Sequence, residues 1–271
     1  MASQLFTKKE FSAVYQRYMI PVSTIVVDMI LSYVKGKQKG QSPEMALDVG
    51  CGTGRYTLPL APHFKKVLGI DTGKSQINLA RRCTSANNVS YIIGQAEKLP
   101  LKDASVDLVH AGLAAHWFEV DKFVHEATRV LKANGCLADH AFHPSTEIES
   151  GDLSGALTAL MKEVWFTLFK HSSKNTQHML CQYEKIYDAV PLNDKTWITD
   201  IPVTVQMSIS DIMGYMQAIY MYQAFADKDP AGAAEFLVTT ENKFREILGE
   251  KADSAVMNAH IKHYCVLACK S

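Results

Sequence analysis

The sequence predicts a doubly wound α/β protein, and three observations carry that expectation. Five short apolar runs, at residues 45–49, 67–71, 89–93, 106–111 and 135–142, alternate with stretches of helical spacing at 56–64, 75–85 and 121–131. The runs are apolar on both faces, as strands of a parallel sheet covered on both sides must be. The first run leads straight into a glycine-rich turn, Gly50-Cys51-Gly52-Thr53-Gly54, at the strand-to-helix position where open α/β sheets bind ligands.

Ahead of the first strand, residues 8–34 space their apolar side chains as helix, interrupted at Pro21 and ending in the flexible run Lys35-Gly36-Lys37-Gln38-Lys39-Gly40. This is an N-terminal helical cap, residues 1–40, on a binding core of 41–143. Past Pro144 the rhythm lengthens to helical patterns at 153–170 and 176–190, an alternating run at 201–209, helical patterns at 211–225 and 231–248, and a final alternating run at 260–269. The chain reads as a single domain, with a helical lid or insertion at 144–225 after the fifth strand and a closing helix and strand at 226–271.

A chain of 271 residues, 47% hydrophobic, can bury a substantial core. Its 28 basic and 28 acidic side chains cancel, so no net field favours nucleic acid or anionic lipid. The first nine residues are polar, and the best apolar run, 19–31, is broken by Pro21 and Asp28, so neither a signal peptide nor a membrane span is expected. Six cysteines without a C-x-x-C pair suit a reducing, cytoplasmic setting. The best metal-ligand candidate, His260-x-x-His263 with Cys265 and Cys269, lies in a segment that alternates like a strand, so no metal is expected.

Gly50, Gly52 and Gly54 tolerate positive φ and let a ligand approach the backbone closely. A dinucleotide fingerprint puts its third glycine about five residues after the first, whereas here Gly54 follows Gly50 by four. The Gly73-Lys74-Ser75 run is not a nucleotide P-loop, because Leu68 stands where the first glycine of G-x-x-x-x-G-K-S/T belongs. Asp48 ends the first strand and Asp71 the second, in Gly69-Ile70-Asp71, where its carboxylate can accept bonds from two ribose hydroxyls.

With these residues in view, the chain resembles the class I S-adenosylmethionine-dependent methyltransferases, particularly the type 11 group. The resemblance runs from about residue 45 to 142, through Leu47-Asp-Val-Gly-Cys-Gly-Thr-Gly54, Gly69-Ile-Asp71, Gly94-Gln-Ala-Glu-Lys-Leu-Pro100, Ser105-Val-Asp-Leu-Val109 and Glu126-Ala-Thr-Arg-Val-Leu131. It implies a Rossmann-like seven-stranded sheet and S-adenosylmethionine as methyl donor, with S-adenosylhomocysteine as product. Asp48 and the amides of Gly50, Gly52 and Gly54 would hold the methionine end, Asp71 and Thr72 the ribose, and Gln95, Ala96 and Glu97 the adenine. Gln95 stands where the family more often has Asp. Tyr15 and Tyr18 resemble the opening helix that covers the cofactor in these relatives, although the family's Arg-Pro pair is not reproduced after Arg17.

The methyl acceptor belongs over the carboxyl ends of the fourth and fifth strands, where His110, Ala111, His116, Trp117, His140 and His143 fall. Ala111 is counted with the cofactor contacts, Arg17 and Trp117 with the acceptor, and His116, His140 and His143 as candidate catalytic groups. The stretch Ala115-His116-Trp117-Phe118 resembles the position of a Trp in small-molecule carboxyl methyltransferases such as those for trans-aconitate and juvenile hormone acid, and in the group containing the cantharidin-resistance enzyme. The insertion carries Met161, Trp165, Phe166, Phe169, Met179, Tyr183, Tyr187, Met213, Tyr215, Met216, Tyr220, Met221 and Tyr222, most as core and the remainder as the apolar face of a lid.

A small organic carboxylate is the leading acceptor. Being already ionised, it needs orientation by His116, Trp117 or Arg17 and no base. An amine, phenol or thiol would need one of the histidines to take a proton. A cofactor-binding protein acting through a partner is the third possibility. No basic stripe or motif for a flipped base points to nucleic acid, and the oligomeric state is not encoded legibly.

Overall fold

The computed structural model describes residues 9–38, 40 and 42–271. Residues 1–8, Lys39 and Gln41 of the expected cap and its linker lie outside the described residues.

Among the described residues seven strands form one sheet: β1 Met45–Val49, β2 Lys66–Asp71, β3 Val89–Ile93, β4 Val106–Gly112, β5 Leu131–Glu149, β6 Asp194–Met207 and β7 Met257–Cys269. Their order is β3-β2-β1-β4-β5-β7-β6. The first five are parallel, and β7 runs antiparallel between β5 and β6. The chain order reverses between β1 and β4, which opens a crevice at their carboxyl ends.

Helices cover both faces. Val26, Ile30 and Val34 of helix α2 (Thr24–Lys37) pack on Ala46, Val67, Leu108, Cys265 and Leu267. After α3 (Thr57–Leu60) and α4 (Lys74–Cys83), helix α5 (Val120–Val130) sets Phe123, Val124, Ala127 and Val130 against Leu47, Val109, Leu137 and Val266 on the opposite face. Each such side chain, once fully buried, adds about 1.5–3 kcal/mol. The remaining helices, α1 (Lys9–Tyr18), α6 (Ser154–Phe169), α7 (Thr176–Leu180), α8 (Glu184–Ala189), α9 (Ile209–Ala218), α10 (Tyr220–Lys228) and α11 (Pro230–Leu248), lie before β1 or around β6. A third core joins α6, α9, α10 and α11 to Phe142 and Ile261 of the sheet.

Several elements differ from their sequence patterns, each for a local reason. Strand β5 continues past residue 142 because Pro144 sits in an irregularity of register between Phe142 and Thr146 and does not end the pairing. The pattern at 176–190 splits into α7 and α8 where Gln182 and Tyr183 turn left-handed, at φ +49° and +66°. The pattern at 211–225 splits into α9 and α10 at the extended Ile219, and α9 starts from a Ser208/Asp211 capping box. Strand β6 occupies residues 194–207, so the 144–225 segment is helical only on either side of it.

Candidate cofactor and acceptor site

The chain leaving β1 at the crevice reverses within a few residues, and its glycines make that possible. Gly50, Gly52 and Gly54 have φ of +68°, +54° and +84°, a region that costs other residues about 1 kcal/mol or more. A Cβ on Gly50 would stand 2.5 Å from that of Ala114, so space also demands glycine there. The amides of Gly50 and Cys51 donate to the Ile70 carbonyl at 2.7 and 3.0 Å, tying the turn to β2.

Asp71 closes β2, and its carboxylate accepts from the amides of Gly52 at 2.9 Å and Gly73 at 2.6 Å. Burial pushes this carboxyl above its ordinary range, and the two amide donors pull it back. Asp48 is placed differently. It is 1% exposed, accepts the Thr57 hydroxyl and meets His110 Nδ1 at 2.8 Å, so it braces the turn from below.

A cavity of about 570 Å³ lies over these strand ends. Of the residues expected at the cofactor, Tyr15, Gly50, Gly52, Asp71, Thr72, Gln95, Ala96 and Glu97 line it, and so do His116 and Trp117, expected at the acceptor. The others sit elsewhere. Gly54 gives room to Tyr91, whose hydroxyl would lie 2.3 Å from a Cβ there, and Tyr18 occupies the space left by Gly214. Asp48 and Ala111 are interior, and Arg17 is exposed with its guanidinium 4.9 Å over the Tyr18 ring.

The three candidate catalytic histidines are separated by the sheet. His140 points into the core, edge-on to Tyr56 at 4.6 Å and 5.1 Å from the His110 ring, and burial keeps it neutral. His143 lines a different cavity, with Lys262, beyond the β5 irregularity. His116, in the 3-10 turn Ala115–Trp117, faces the main cavity, and its Nδ1 lies 2.8 Å from the Tyr183 hydroxyl. Burial first, and then the charge of His178, push its pKa down to about 3.

Other cavity residues gave less signal in the sequence. Arg55 donates to the carbonyls of Gln16, Met19 and Ile20 at 2.9, 3.0 and 2.9 Å, and the Thr53 hydroxyl donates to the Gln16 side chain, so α1 is strapped over the turn. A lone cation directly after the glycines was the available hint. Tyr215, Ile219, Tyr220 and Met221 bring α9 and α10 over the acceptor side, where Tyr220 meets Trp117 edge-on at 5.1 Å.

Four buried polar atoms of cavity-lining residues lack a partner among the described residues: Tyr215 Oη, and, close to the glycine turn, Gln76 Oε1, Tyr56 Oη and Arg55 Nε. Two donors, an acceptor and the Asp71 carboxylate suit a ligand with a diol, an ammonium and a carboxylate, as S-adenosylmethionine has. Among the described residues no group of three or more His, Cys, Asp or Glu stands together as a metal site. On β7, residues 263, 265 and 269 share one strand face while His260 lies on the other, which divides the candidate set. No helix among the described residues is long and apolar enough to cross a membrane.

Residues 47–138 match the family described as a methyltransferase domain. A protein of Dictyostelium discoideum named as a methyltransferase is 29% identical over 84% of this chain and 82% of its own length. One of Saccharomyces cerevisiae, named as an S-adenosylmethionine-dependent methyltransferase, is 26% identical over 76% and 70%. A malonyl-[acyl-carrier protein] O-methyltransferase of Methylococcus capsulatus is 34% identical over 41% and 42%. Among solved structures, a methyltransferase of Anaeromyxobacter dehalogenans shares the fold with a TM-score of 0.68, covering 88% of this chain and 95% of that one at 21% identity. Sheet order, glycine turn and paired acids define a class I methyltransferase, an enzyme that uses S-adenosylmethionine. Within that class, the match of residues 47–138 is to the methyltransferase-domain family.

Proposed function

We propose that the enzyme methylates a carboxylate oxygen of a small organic acid. The observation that carries this reading is the state of His116, the histidine on the acceptor wall. Burial holds this imidazole neutral and makes it a poor base toward a phenol of pKa near 10. His140 and His143 do not line the cavity. An acceptor atom that arrives with its electron pair free, as a carboxylate oxygen does, needs no base there, which supports this reading.

Bound S-adenosylmethionine supplies an activated methyl group. The chain's own residues do the rest. Asp71, Thr72 and the glycine turn hold one end of the cavity, and α1, strapped down by Arg55, shields it from water. Trp117, Tyr220, Tyr215 and Met221 give the acceptor side a mostly apolar wall, which suits a small organic body. The malonyl-[acyl-carrier protein] O-methyltransferase supports the same chemistry, because a malonyl unit ends in a carboxylate. Six free thiols, four of them buried, suit a cytoplasmic setting.

The test is a screen of small carboxylic acids, phenols and amines with labelled cofactor, followed by a pH profile on whichever substrate turns over. Methyl ester products and a kcat/KM that is flat from about pH 6 to 9 are expected. Methylation confined to phenols or amines, with a rate that falls steeply below pH 7, would sink the reading.

A further inference from the structure

The neutral His116 still has two tautomers, and only one presents an N–H to the cavity. The structure holds its Nδ1 in a defined contact. Tyr183, fully buried, brings its hydroxyl to 2.8 Å from that nitrogen. Tyr183 enters α8 with φ +66°, directly after Gln182 at +49°, and two consecutive non-glycine residues there cost about 1–3 kcal/mol each. Strand β6 supports the segment. Trp197 Nε1 donates to the Gln182 carbonyl at 2.8 Å, and Lys195 Nζ donates to the carbonyls of Tyr187 and Val190 at 2.8 and 3.0 Å.

Counting donors fixes the direction of the bond. If His116 donated from Nδ1, the Tyr183 hydroxyl hydrogen would need another acceptor. Asp139, the acid whose charge acts on Tyr183, makes no hydrogen bond, and the Tyr264 hydroxyl, on the ring edge-on to Tyr183 at 5.0 Å, makes none either. Among the described residues no second acceptor serves Tyr183. A buried O–H left without one costs about 1–3 kcal/mol, whereas an unused lone pair on the phenol oxygen costs less.

We propose that Tyr183 donates to Nδ1 of His116 and so locks the imidazole as its Nε2–H tautomer, making His116 a hydrogen-bond donor to the incoming oxygen. Tyr183 is thus a positioning residue that acts through His116. That the oxygen is a carboxylate rests on the function proposed above; the tautomer does not.

The test is nitrogen NMR of the full chain with labelled histidine, the His116 signals being assigned by their loss in His116→Gln. Expected in the native protein is a protonated Nε2 with an unprotonated Nδ1. In Tyr183→Phe, with folding checked by thermal melt, removal of a bond that biases the tautomers roughly five-fold shifts the ratio toward Nδ1–H by that factor. A protonated Nδ1 in the native protein, or an unchanged ratio in folded Tyr183→Phe, overturns the proposal. The readout needs no methyl acceptor, so the two readings fail separately. A locked Nε2–H together with a screen in which no carboxylate is methylated removes the substrate assignment alone.

Discussion

Asp71 divides its carboxylate between the amides of Gly52 and Gly73, so one side chain both shapes the glycine turn and faces the cavity. Asp71→Asn keeps the volume but sets an NH₂ donor against an amide donor. Charge-assisted bonds of this kind carry about 1.5–3 kcal/mol, so affinity for S-adenosylhomocysteine, read by calorimetry, should fall roughly 10- to 100-fold. An affinity within two-fold of native would mean that Asp71 only shapes the loop. At this scale the sequence was most legible where backbone chemistry restricts the choice of residue. The positive φ of Gly50 and Gly52, and the acid that closes β2, are visible in the order of residues. The histidines were not separable, because His110, His116, His140 and His143 look alike until strand alternation sends His140 into the core and the β5 irregularity sends His143 to another cavity.

Helix α1 packs Val14, Tyr15 and Tyr18 on the third core and is held by polar straps as well. Arg55 satisfies three carbonyls at the α1–α2 junction, two of them in the non-helical stretch before Ser23 caps α2. Arg55→Met keeps much of the side-chain volume and leaves those carbonyls without their donor. A stability loss of about 1–3 kcal/mol is expected, with faster proteolytic cleavage at residues 19–23 and weaker cofactor binding. Cleavage at the native rate would show that apolar packing alone seats the helix. Elements were legible wherever one period ran unbroken, as in β1, β3 and α5. They blurred where one or two residues, the left-handed Gln182 and Tyr183 or the extended Ile219, split a helical pattern whose periodicity continued across the break. Periodicity reports which face is buried and is silent about one residue's φ.

Across the whole molecule the interior holds neutral histidines, and this sets the response to acid. Burial lowers His116 to about 3 and His263 to about 4, and lowers His140 in the same direction. In the unfolded chain these groups titrate near 6.5. Below that pH the unfolded state binds more protons than the folded one, so stability rises with pH. The contribution is complete above about pH 6.5 and is lost as pH falls toward 4, at up to about 1.4 kcal/mol per pH unit for each group. Thermal melts should be level above pH 7 and drop steeply below pH 6, with a shallower drop for His263→Phe. A melting temperature unchanged down to pH 5 would contradict the burial of these groups.

The insertion of β7 between β5 and β6 orders the molecule in time as well as in space. Among the described residues strand β6 pairs in the sheet with β7 alone, although residues 208–256 separate the two along the chain. Strand β6 carries Lys195 and Trp197, which hold the Tyr183 segment, and the intervening residues include α9 and α10 of the acceptor wall. The glycine turn draws on β1 to β4, Tyr91 of β3 filling the space beside Gly54. A folding chain can therefore complete the donor half of the site from earlier contacts, while the acceptor half waits on β7, whose pairing with β5 joins residues as far apart as Cys136 and Cys269.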